Sequence, residues 1–498
     1  MDELNNNDKA VTKNKKNRFE LDLTSGNLFW KMPLFALPLA LTTTLQLLYT
    51  TIDLWTVSTY GGGNNSMSAI GSNSSLISLI ITVLVSLATG SNVILSCAKG
   101  ENNKDKAKKV LHTSFLIATI GGVLVGLIGY FISKYLLIMM NTPNSILDNA
   151  NTYLQVYFIG LPFLMIYNFG SQMMRALGDS KKPFIILLIS GLINVLFDII
   201  FVKFLNMDVF GVALATVISE AVSAIMTIIF FMFNKHGFVC FRFRDLKIDS
   251  LSFKEILKIG LPAGIQGLAF SIPNVLIQSS LYSISSYEVN GQLITQEDII
   301  AGSSASQQIE NYMFAFIDAF AISLCSFVGQ NYGAKNIKNI KKSYWYCMIW
   351  MLAFSALFML IGGLLPYPLL SIFITTNSDV SQTGALIAGK DRLYIMTFTY
   401  FLDGIMDVDG NYLRGMKKST TPALLTLIGC TGTRILFLYT IFNIPFFHTV
   451  FWLYSTYPIS WILVSLIFIP CILKEQKDVF LHLENKFEYK ILTSKLKV

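Results

Sequence analysis

The chain has 498 residues, of which 53% are hydrophobic and only 14% are charged, and its formal net charge is +8. Soluble globular domains carry about a quarter of charged residues, so this composition excludes an ordinary soluble domain. It indicates a protein whose surface lies mostly in lipid. Backbone groups must be hydrogen-bonded inside a bilayer, so the long apolar blocks predict membrane-spanning helices.

Twelve apolar blocks follow one another along the chain, and each is long enough to cross a bilayer. The block between Phe184 and Val202, for example, contains Asp198 as its only charge. We therefore predict an all-α integral membrane protein with twelve transmembrane helices. Their predicted centres are Leu41, Ile81, Val123, Pro162, Leu192, Ala221, Phe270, Phe316, Phe354, Phe401, Ile428 and Ile459.

The basic residues predict the orientation of these helices. All but five of the 38 Lys and Arg fall in the two terminal segments and in alternate loops. The other loops hold Lys134, Lys203, Lys390 and Arg392, and Arg434 lies inside a predicted span. Such asymmetry follows the positive-inside rule. It predicts a multi-pass protein of the cell (inner) membrane with both termini in the cytoplasm, and it argues against nucleic acid as a partner.

An internal repeat divides the chain into two halves. Arg175-Ala-Leu-Gly-Asp-Ser-Lys-Lys-Pro183 ends the fourth span, and Arg414-Gly-Met-Lys-Lys-Ser-Thr-Thr-Pro422 ends the tenth, with Arg, Ser and Pro at the same spacing. Because six is even, the halves are parallel repeats, which in transporters hold the substrate between them. The predicted segments are a cytoplasmic N-terminal segment (1–30), a six-helix bundle (31–234), a cytoplasmic linker (235–254), a second six-helix bundle (255–473) and a cytoplasmic tail (474–498).

Acidic residues inside the N-terminal bundle predict a cation-coupling site. Asp198 and Asn194 are four residues apart on the fifth span and share a helix face. Together with Asp53, Asn168 and Thr216 they could hold either a proton or Na⁺. The predicted ligands of Na⁺ are Asp53 and Asp198. A carboxylate at membrane depth usually faces a cavity or a partner. The alternative for Asp53 is that it marks the end of the first span at the lipid headgroups.

The C-terminal bundle contains a second set of buried charges. We predict a polar network of Glu310, Asp403 and Asp407, with Arg434 as the counter-ion. Such a network either takes part in transport or fixes helix packing. Pro38 in the first span removes a backbone hydrogen bond and predicts a gating kink, whereas the alternative is a proline that the membrane helix simply tolerates.

Several motifs resemble the multidrug and toxic compound extrusion (MATE) family. They are Leu48-Tyr-Thr-Thr-Ile-Asp53, the Arg175 to Pro183 segment, Asn194-Val-Leu-Phe-Asp198, Phe327-Val-Gly-Gln-Asn-Tyr-Gly-Ala334 and Leu413-Arg-Gly-Met416. The resemblance covers roughly residues 30 to 470. It implies a V-shaped pair of bundles that exports organic, often cationic compounds in exchange for Na⁺ or H⁺.

The resemblance also assigns residues and partners. Asp53, Asn194 and Asp198 match the cation site of the family's N-terminal half, and Asp403 matches an acid of its C-terminal half. The seventh span lacks the Glu that accompanies this acid in other members. The sequence shows no nucleophile–base pair or metal motif, so we predict that the protein is not an enzyme and needs no cofactor beyond its coupling ion. We expect a monomer that acts on small organic substrates in the bilayer.

Two other functions remain open at this stage. A flippase for lipid-linked precursors, from the same superfamily, would need a long basic groove, and Arg434 is the clearest cation within a span. A membrane channel would show a repeated filter sequence or a ring-forming module, and neither is visible. Both are therefore weaker interpretations than multidrug efflux.

Overall fold

The structure, a computed structural model, describes residues 20–234, 237–289, 291–374 and 381–495. These residues form twelve long helices, and their positions agree with the twelve predicted centres. The N-terminal bundle (the N-half) consists of α1 (Leu28–Tyr60), α2 (Asn64–Gly100), α3 (Lys104–Met139), α4 (Asn144–Ala176), α5 (Lys181–Phe204) and α6 (Asp208–Phe233). The C-terminal bundle (the C-half) consists of α7 (Ser250–Ser280), α8 (Gln296–Gly333), α9 (Ile337–Leu364), α10 (Gln382–Gly415), α11 (Thr420–Tyr439) and α12 (Val450–Lys495).

Minor elements connect the helices of the C-half. Strands β1 (Tyr287–Val289) and β2 (Gln292–Ile294) pair antiparallel between α7 and α8. A short helix, Pro366–Ser371, lies between α9 and α10. Both α5 and α11 contain a π-helical segment, Ile199–Phe204 and Leu427–Gly432 respectively.

Among the described residues, eleven of the helices are long and apolar enough to cross a membrane. The twelfth, α10, has 34 residues but carries charges along its length, including Arg392, Asp403 and Asp407. It packs against α8, α9 and α12 in the centre of the C-half. Its charges are therefore enclosed by neighbouring helices, and the predicted all-α fold with twelve transmembrane helices is confirmed.

Side-chain caps place the helix ends slightly away from the predicted segment boundaries. Asp249 accepts a hydrogen bond from the backbone N–H of Ser252, so α7 begins at Ser250, inside the predicted linker of 235–254. Asn27 accepts from the N–H of Phe29, so α1 begins at Leu28, within the predicted N-terminal segment. The predicted tail of 474–498 continues α12 as far as Lys495, because its Lys, Glu and Leu residues favour helix.

The two bundles meet through α1 and α2 on one side and α7, α8 and α9 on the other. Close backbone approaches occur where glycine leaves room. A Cβ atom at Gly90 would collide with the carbonyl of Ile256, and one at Gly333 would collide with Cys97. These contacts lie toward the ends of the helices that carry the basic loops, which we call the basic face.

The segment before α1 joins both halves at the basic face. The Leu21 N–H donates to the carbonyl of Gly178 at the end of α4 (2.9 Å). From the C-half, the Asn331 amide donates to the carbonyl of Leu23 (2.9 Å) and the Asn339 amide to that of Thr24 (2.7 Å). All hydrogen bonds and salt bridges between the halves within the described ranges lie near this face. The V-shaped pair of bundles is therefore closed at the basic face.

Candidate functional site

The N-half brings two carboxyl groups from different helices together. The side chain of Asp53 on α1 lies at hydrogen-bonding distance from that of Asp198 on α5. Asp198 is completely buried, Asp53 is 9% exposed, and apart from the Asp53 carboxyl group no side chain or backbone N–H of the described residues can donate to Asp198. Asp198 also stands directly before the π-helical segment of α5, a feature that often marks functional sites. Asp53 is therefore part of a buried pair inside the N-half.

The neutral residues predicted for this site differ in their placement. Asn194 is 4% exposed, and its amide nitrogen has no acceptor, so its polar group is available beside Asp198. The Thr216 hydroxyl donates to the carbonyl of Val212 (3.0 Å), and the Asn168 amide donates to that of Leu164 (2.9 Å). No contact of the described residues joins Thr216 or Asn168 to the two acids. Their part in the site stays a prediction.

A third acid of the N-half, with one buried carboxylate oxygen, was missed from the sequence. Glu220 lies on α6, and its Oε2 atom is buried without a hydrogen-bond donor. Tyr153 on α4 lies within electrostatic reach of Asp53, Asp198 and Glu220. The sequence signal was present, because Glu220 adjoins Ala221, the predicted centre of the sixth span. An acid at the centre of a span indicates a functional candidate.

The C-half contains a cavity of about 420 Å³. It is bounded mainly by α7, α8, α10, α11 and α12, and α2 of the N-half contributes Thr82 and Ser86. All four predicted network residues line it. The charged lining residues are four acids and three arginines: Glu310, Asp318, Asp403, Asp407, Arg392, Arg414 and Arg434. Aromatic walls are formed by Phe270, Phe314, Tyr400, Tyr457 and Trp461.

The sequence predicts the wrong partner for Glu310 and the wrong location for Arg392. The partner of Glu310 is Arg392, whose Nε and Nη2 atoms donate to its two carboxylate oxygens at 2.8 and 2.9 Å. The sequence instead predicts Arg392 in a loop and Arg434 as the counter-ion of this acid. Hydropathy assigned the charged start of α10 to a loop, but the helix begins at Gln382 and buries Arg392 to 3% exposure. The bidentate pair compensates both charges.

Arg434 on α11 makes polar contacts with neutral groups instead. Its Nε atom donates to the Ser460 hydroxyl (2.9 Å) and its Nη1 atom to the side-chain carbonyl of Asn274 (3.2 Å). The guanidinium also lies over the ring of Tyr457, 4.4 Å from its centroid. Asp403 is within electrostatic reach of Arg434. Arg434 therefore balances the charge of Asp403 without forming an ion pair with it.

Asp318 on α8 lies between the two repeat-related arginines. Arg175 at the end of α4 and Arg414 at the end of α10 are both within electrostatic reach of its carboxylate. Arg414 donates to the side-chain oxygens of Gln266 and Asn411. The repeated Arg motif thus directs a cation from each half toward one acid at the interface.

The MatE family model matches residues 38–200 and 271–440, which is more than half of the sequence and includes parts of both bundles. The chain belongs to the MatE family. The predicted membership of the multidrug and toxic compound extrusion family is thereby confirmed.

Relatives by sequence include two proteins of Bacillus subtilis (strain 168). The probable multidrug resistance protein YpnP is 28% identical over 321 residues, which are 64% of this chain and 68% of that protein. The probable multidrug resistance protein YoeA is 24% identical over 420 residues, 82% of this chain and 85% of that protein. This MATE protein is therefore a multi-pass membrane transporter of small molecules and not an enzyme.

Solved structures agree with the fold of this MATE transporter. A transporter of the MOP superfamily from Pyrococcus furiosus, described as having reversed polarity in its binding pocket, gives a TM-score of 0.81 at 18% identity, over 92% of this chain and 98% of that one. A multidrug resistance MATE transporter in an outward-facing conformation gives 0.80 at 19% identity, again over 92% and 98%. At these identities the likeness concerns the fold.

Proposed function

We propose that this MATE transporter exports amphipathic organic cations in exchange for inward-moving Na⁺ or H⁺. The observation that carries the proposal is the buried pair Asp53–Asp198. Oδ1 of Asp53 and both carboxylate oxygens of Asp198 are buried without an N–H or hydroxyl donor, and no basic residue of the described chain pairs with either acid. A charged carboxylate inside a membrane-spanning segment is costly, by up to about 2.5–3.5 kcal/mol at the helix centre on insertion scales. A proton or Na⁺ bound here would remove that cost.

The C-half cavity is the proposed substrate site. Its four acids and three arginines leave one negative charge in excess if all are ionised. Asp318 and Asp407 line it without a side-chain hydrogen bond among the described contacts, next to aromatic walls. Aromatic faces attract organic cations, by roughly 2 kcal/mol or more when water is excluded. An amphipathic cation would therefore find both a counter-charge and an apolar surface.

Coupling requires that the ion site and the closure of the halves influence each other, and α1 provides a direct connection. It carries Asp53 toward one end and packs against α8 and α9 near its beginning, where Phe35 contacts the ring of Phe327. Pro38 lies between these regions and removes a backbone donor from the helix. Binding of an ion at Asp53–Asp198 would let α1 bend at Pro38 and change its contacts with the C-half.

Vesicle transport tests this function. The purified protein is reconstituted into proteoliposomes, and uptake of ethidium is measured with an imposed Na⁺ gradient, an imposed pH gradient, or neither. We expect the dye to accumulate only when an imposed gradient drives Na⁺ or H⁺ in the direction opposite to the dye. Dye movement that ignores both gradients would contradict antiport and favour a channel.

Orientation is part of the same proposal: both termini and the basic face lie in the cytoplasm of the cell, with the protein acting as a monomer. The β1–β2 hairpin would then lie outside. Single cysteines replacing Glu288 in β1 and Asn336 before α9, in a cysteine-free background, should react with a membrane-impermeant reagent from opposite sides. Reaction from the same side would contradict the six-plus-six topology.

A second candidate is a flippase for lipid-linked precursors. It is favoured by one observation, because the cavity has three arginines rather than the one cation predicted within the spans. Each guanidinium already has partners in the C-half, so we rank this function second. Proteoliposomes with a fluorescent lipid-linked phosphate distinguish the two functions, since a flippase moves this lipid without an imposed gradient and the antiporter leaves it in place.

A further inference from the structure

Glu220 is a partly buried acid at the middle of a membrane-spanning helix, outside the predicted coupling site. It is the thirteenth of the 26 residues of α6, about 18 Å along the helix from its first residue. Its Oε2 atom is buried without a donor, and no Lys, Arg or His in the described part of the chain pairs with it. An ionised carboxylate in this position would be uncompensated.

The chain leaves room for this carboxyl group on α4. A Cβ atom at Gly160 would lie 2.7 Å from Oε2 of Glu220 and 2.8 Å from Cγ2 of Val217. Any side chain at residue 160 would therefore push the carboxyl group away. Tyr153 and Tyr157 precede Gly160 by seven and three residues, so all three lie on one face of α4. The face of α4 next to Glu220 therefore presents Gly160 and the buried side chains of Tyr153 and Tyr157.

The surroundings of Glu220 suit a proton better than a metal ion. Na⁺ requires several oxygen ligands, but the atoms beside Oε2 at Gly160 include the Val217 methyl group. In the described chain no group of three or more acidic, His or Cys side chains could hold a metal. A proton needs only one carboxylate oxygen: one O–H bond forms on uptake and breaks on release, and the charge changes by one.

One residue relates Glu220 to the Asp53–Asp198 pair. Tyr153 lies within electrostatic reach of all three acids, whereas Tyr157 lies within reach of Glu220 and of Tyr153. The two tyrosine rings stack with centroids 6.4 Å apart. A change of charge at Glu220 or at the Asp53–Asp198 pair therefore changes the electrostatic potential at the same phenol, that of Tyr153.

We propose that Glu220 is a second proton-binding group of the N-half, separate from the Asp53–Asp198 pair, so that this half carries two positive charges inward in each cycle. The inference rests on the proposed antiport for its consequence in transport, but proton binding at Glu220 does not depend on it. Exchange of two inward charges for one monovalent organic cation moves net charge. Transport by the unmodified protein should then respond to membrane potential.

The first experiment measures protonation without transport. Infrared spectra of the membrane-reconstituted protein at neutral pH are compared between the unmodified chain and Glu220→Gln, with Glu288→Gln in the exposed hairpin as the matched control. We expect Glu220→Gln to lose absorption from protonated carboxyl groups and the control to keep it. An unchanged spectrum of Glu220→Gln would overturn the proposal, whatever the protein transports.

A second variant tests the geometry. Gly160→Ala places a methyl group against Oε2 and should shift the pH midpoint of the same infrared signal. Gly121→Ala is the control, because a Cβ atom there would meet only the Met165 side chain, 3.6 Å away at its nearest atom. Equal spectra for Gly160→Ala and the unmodified chain would contradict the proposed contact.

The third experiment measures charge movement. Ethidium accumulation in proteoliposomes is followed while a potassium diffusion potential is imposed at a fixed pH gradient. We expect the potential to change accumulation by the unmodified protein and to have no effect on Glu220→Gln, which carries one charge fewer. Equal dependence on potential in both proteins would overturn the two-charge inference. Failure of the unmodified protein to transport would instead count against antiport and leave the infrared result standing.

Discussion

The two halves share a helix arrangement but treat their buried charges differently. In the N-half, the buried acids Asp53 and Asp198 and the partly buried Glu220 have no basic partner among the described residues. In the C-half, Glu310 is held by Arg392, and Arg434 lies near Asp403. The N-half acids therefore have no counter-charge from the described residues, whereas three arginines offset most of the acidic charge in the C-half cavity. The repeat preserved the fold of the halves and not their electrostatics.

The fifth helix of each half illustrates the same difference. In α5 the π-helical segment begins directly after Asp198, and in α11 it ends two residues before Arg434. Both halves thus set a buried charge beside an irregular helix turn, but with opposite sign. The turn shifts the helix face that follows it. An acid in one repeat and an arginine in the other indicate ion binding in the N-half and internal neutralisation in the C-half.

The largest expected effect comes from removing the charge of the N-half pair. Asp198→Asn keeps the shape of the side chain but removes a buried, unpaired charge, so gradient-driven efflux should fall to the level of passive leak. Ethidium binding, measured by fluorescence polarisation, should remain. Asp245→Asn, outside the membrane-spanning helices, is the control and should transport normally. Normal efflux by Asp198→Asn would place coupling elsewhere.

Breaking the C-half ion pair should affect stability before transport. Glu310→Gln leaves the Arg392 guanidinium buried without its counter-charge, which costs about 3–5 kcal/mol. The melting temperature in detergent should fall clearly. The double variant Glu310→Leu, Arg392→Met removes both charges and should recover most of the loss, since well-packed apolar replacements are often neutral. A single variant as stable as the unmodified protein would contradict a structural role.

A smaller effect is expected when the charge of Asp403 is removed. Arg434 already offsets part of this charge, so Asp403→Asn should keep gradient-driven efflux within about tenfold of the unmodified rate, equivalent to about 1.4 kcal/mol. The assay is the same ethidium efflux under a pH or Na⁺ gradient. If Asp403→Asn is inactive while Asp198→Asn transports normally, the coupling site belongs to the C-half.

The smallest effect is expected at an exposed ion pair of the N-half. Lys134 and Asp148 are 3.3 Å apart, and their side chains are 54% and 89% exposed. Such pairs contribute about 0–1 kcal/mol. Lys134→Ala should therefore leave the melting temperature and efflux nearly unchanged, in contrast to Glu310→Gln. A large loss of stability here would mean that exposure is a poor guide to the value of an ion pair in this protein.

The sequence by itself determined the twelve helices and the division into two repeats. Hydropathy could do this because lipid forces each apolar block of sufficient length to become a helix. The motif from Arg175 to Pro183 and its copy near Arg414 were visible because they are local strings. The N-half residues Asn194 and Asp198 could be paired because four residues are about one helical turn.

Only the tertiary structure decided which charges meet across helices. Arg392 and Glu310 are 82 residues apart in the chain, and Gly160 on α4 meets Glu220 on α6. Sequence spacing specifies neighbours on one helix but not how that helix is rotated against another. Hydropathy also could not predict that α10 is buried, because its charges are compensated by residues of α8 and not by water. Those partners are supplied by packing, which no local pattern encodes.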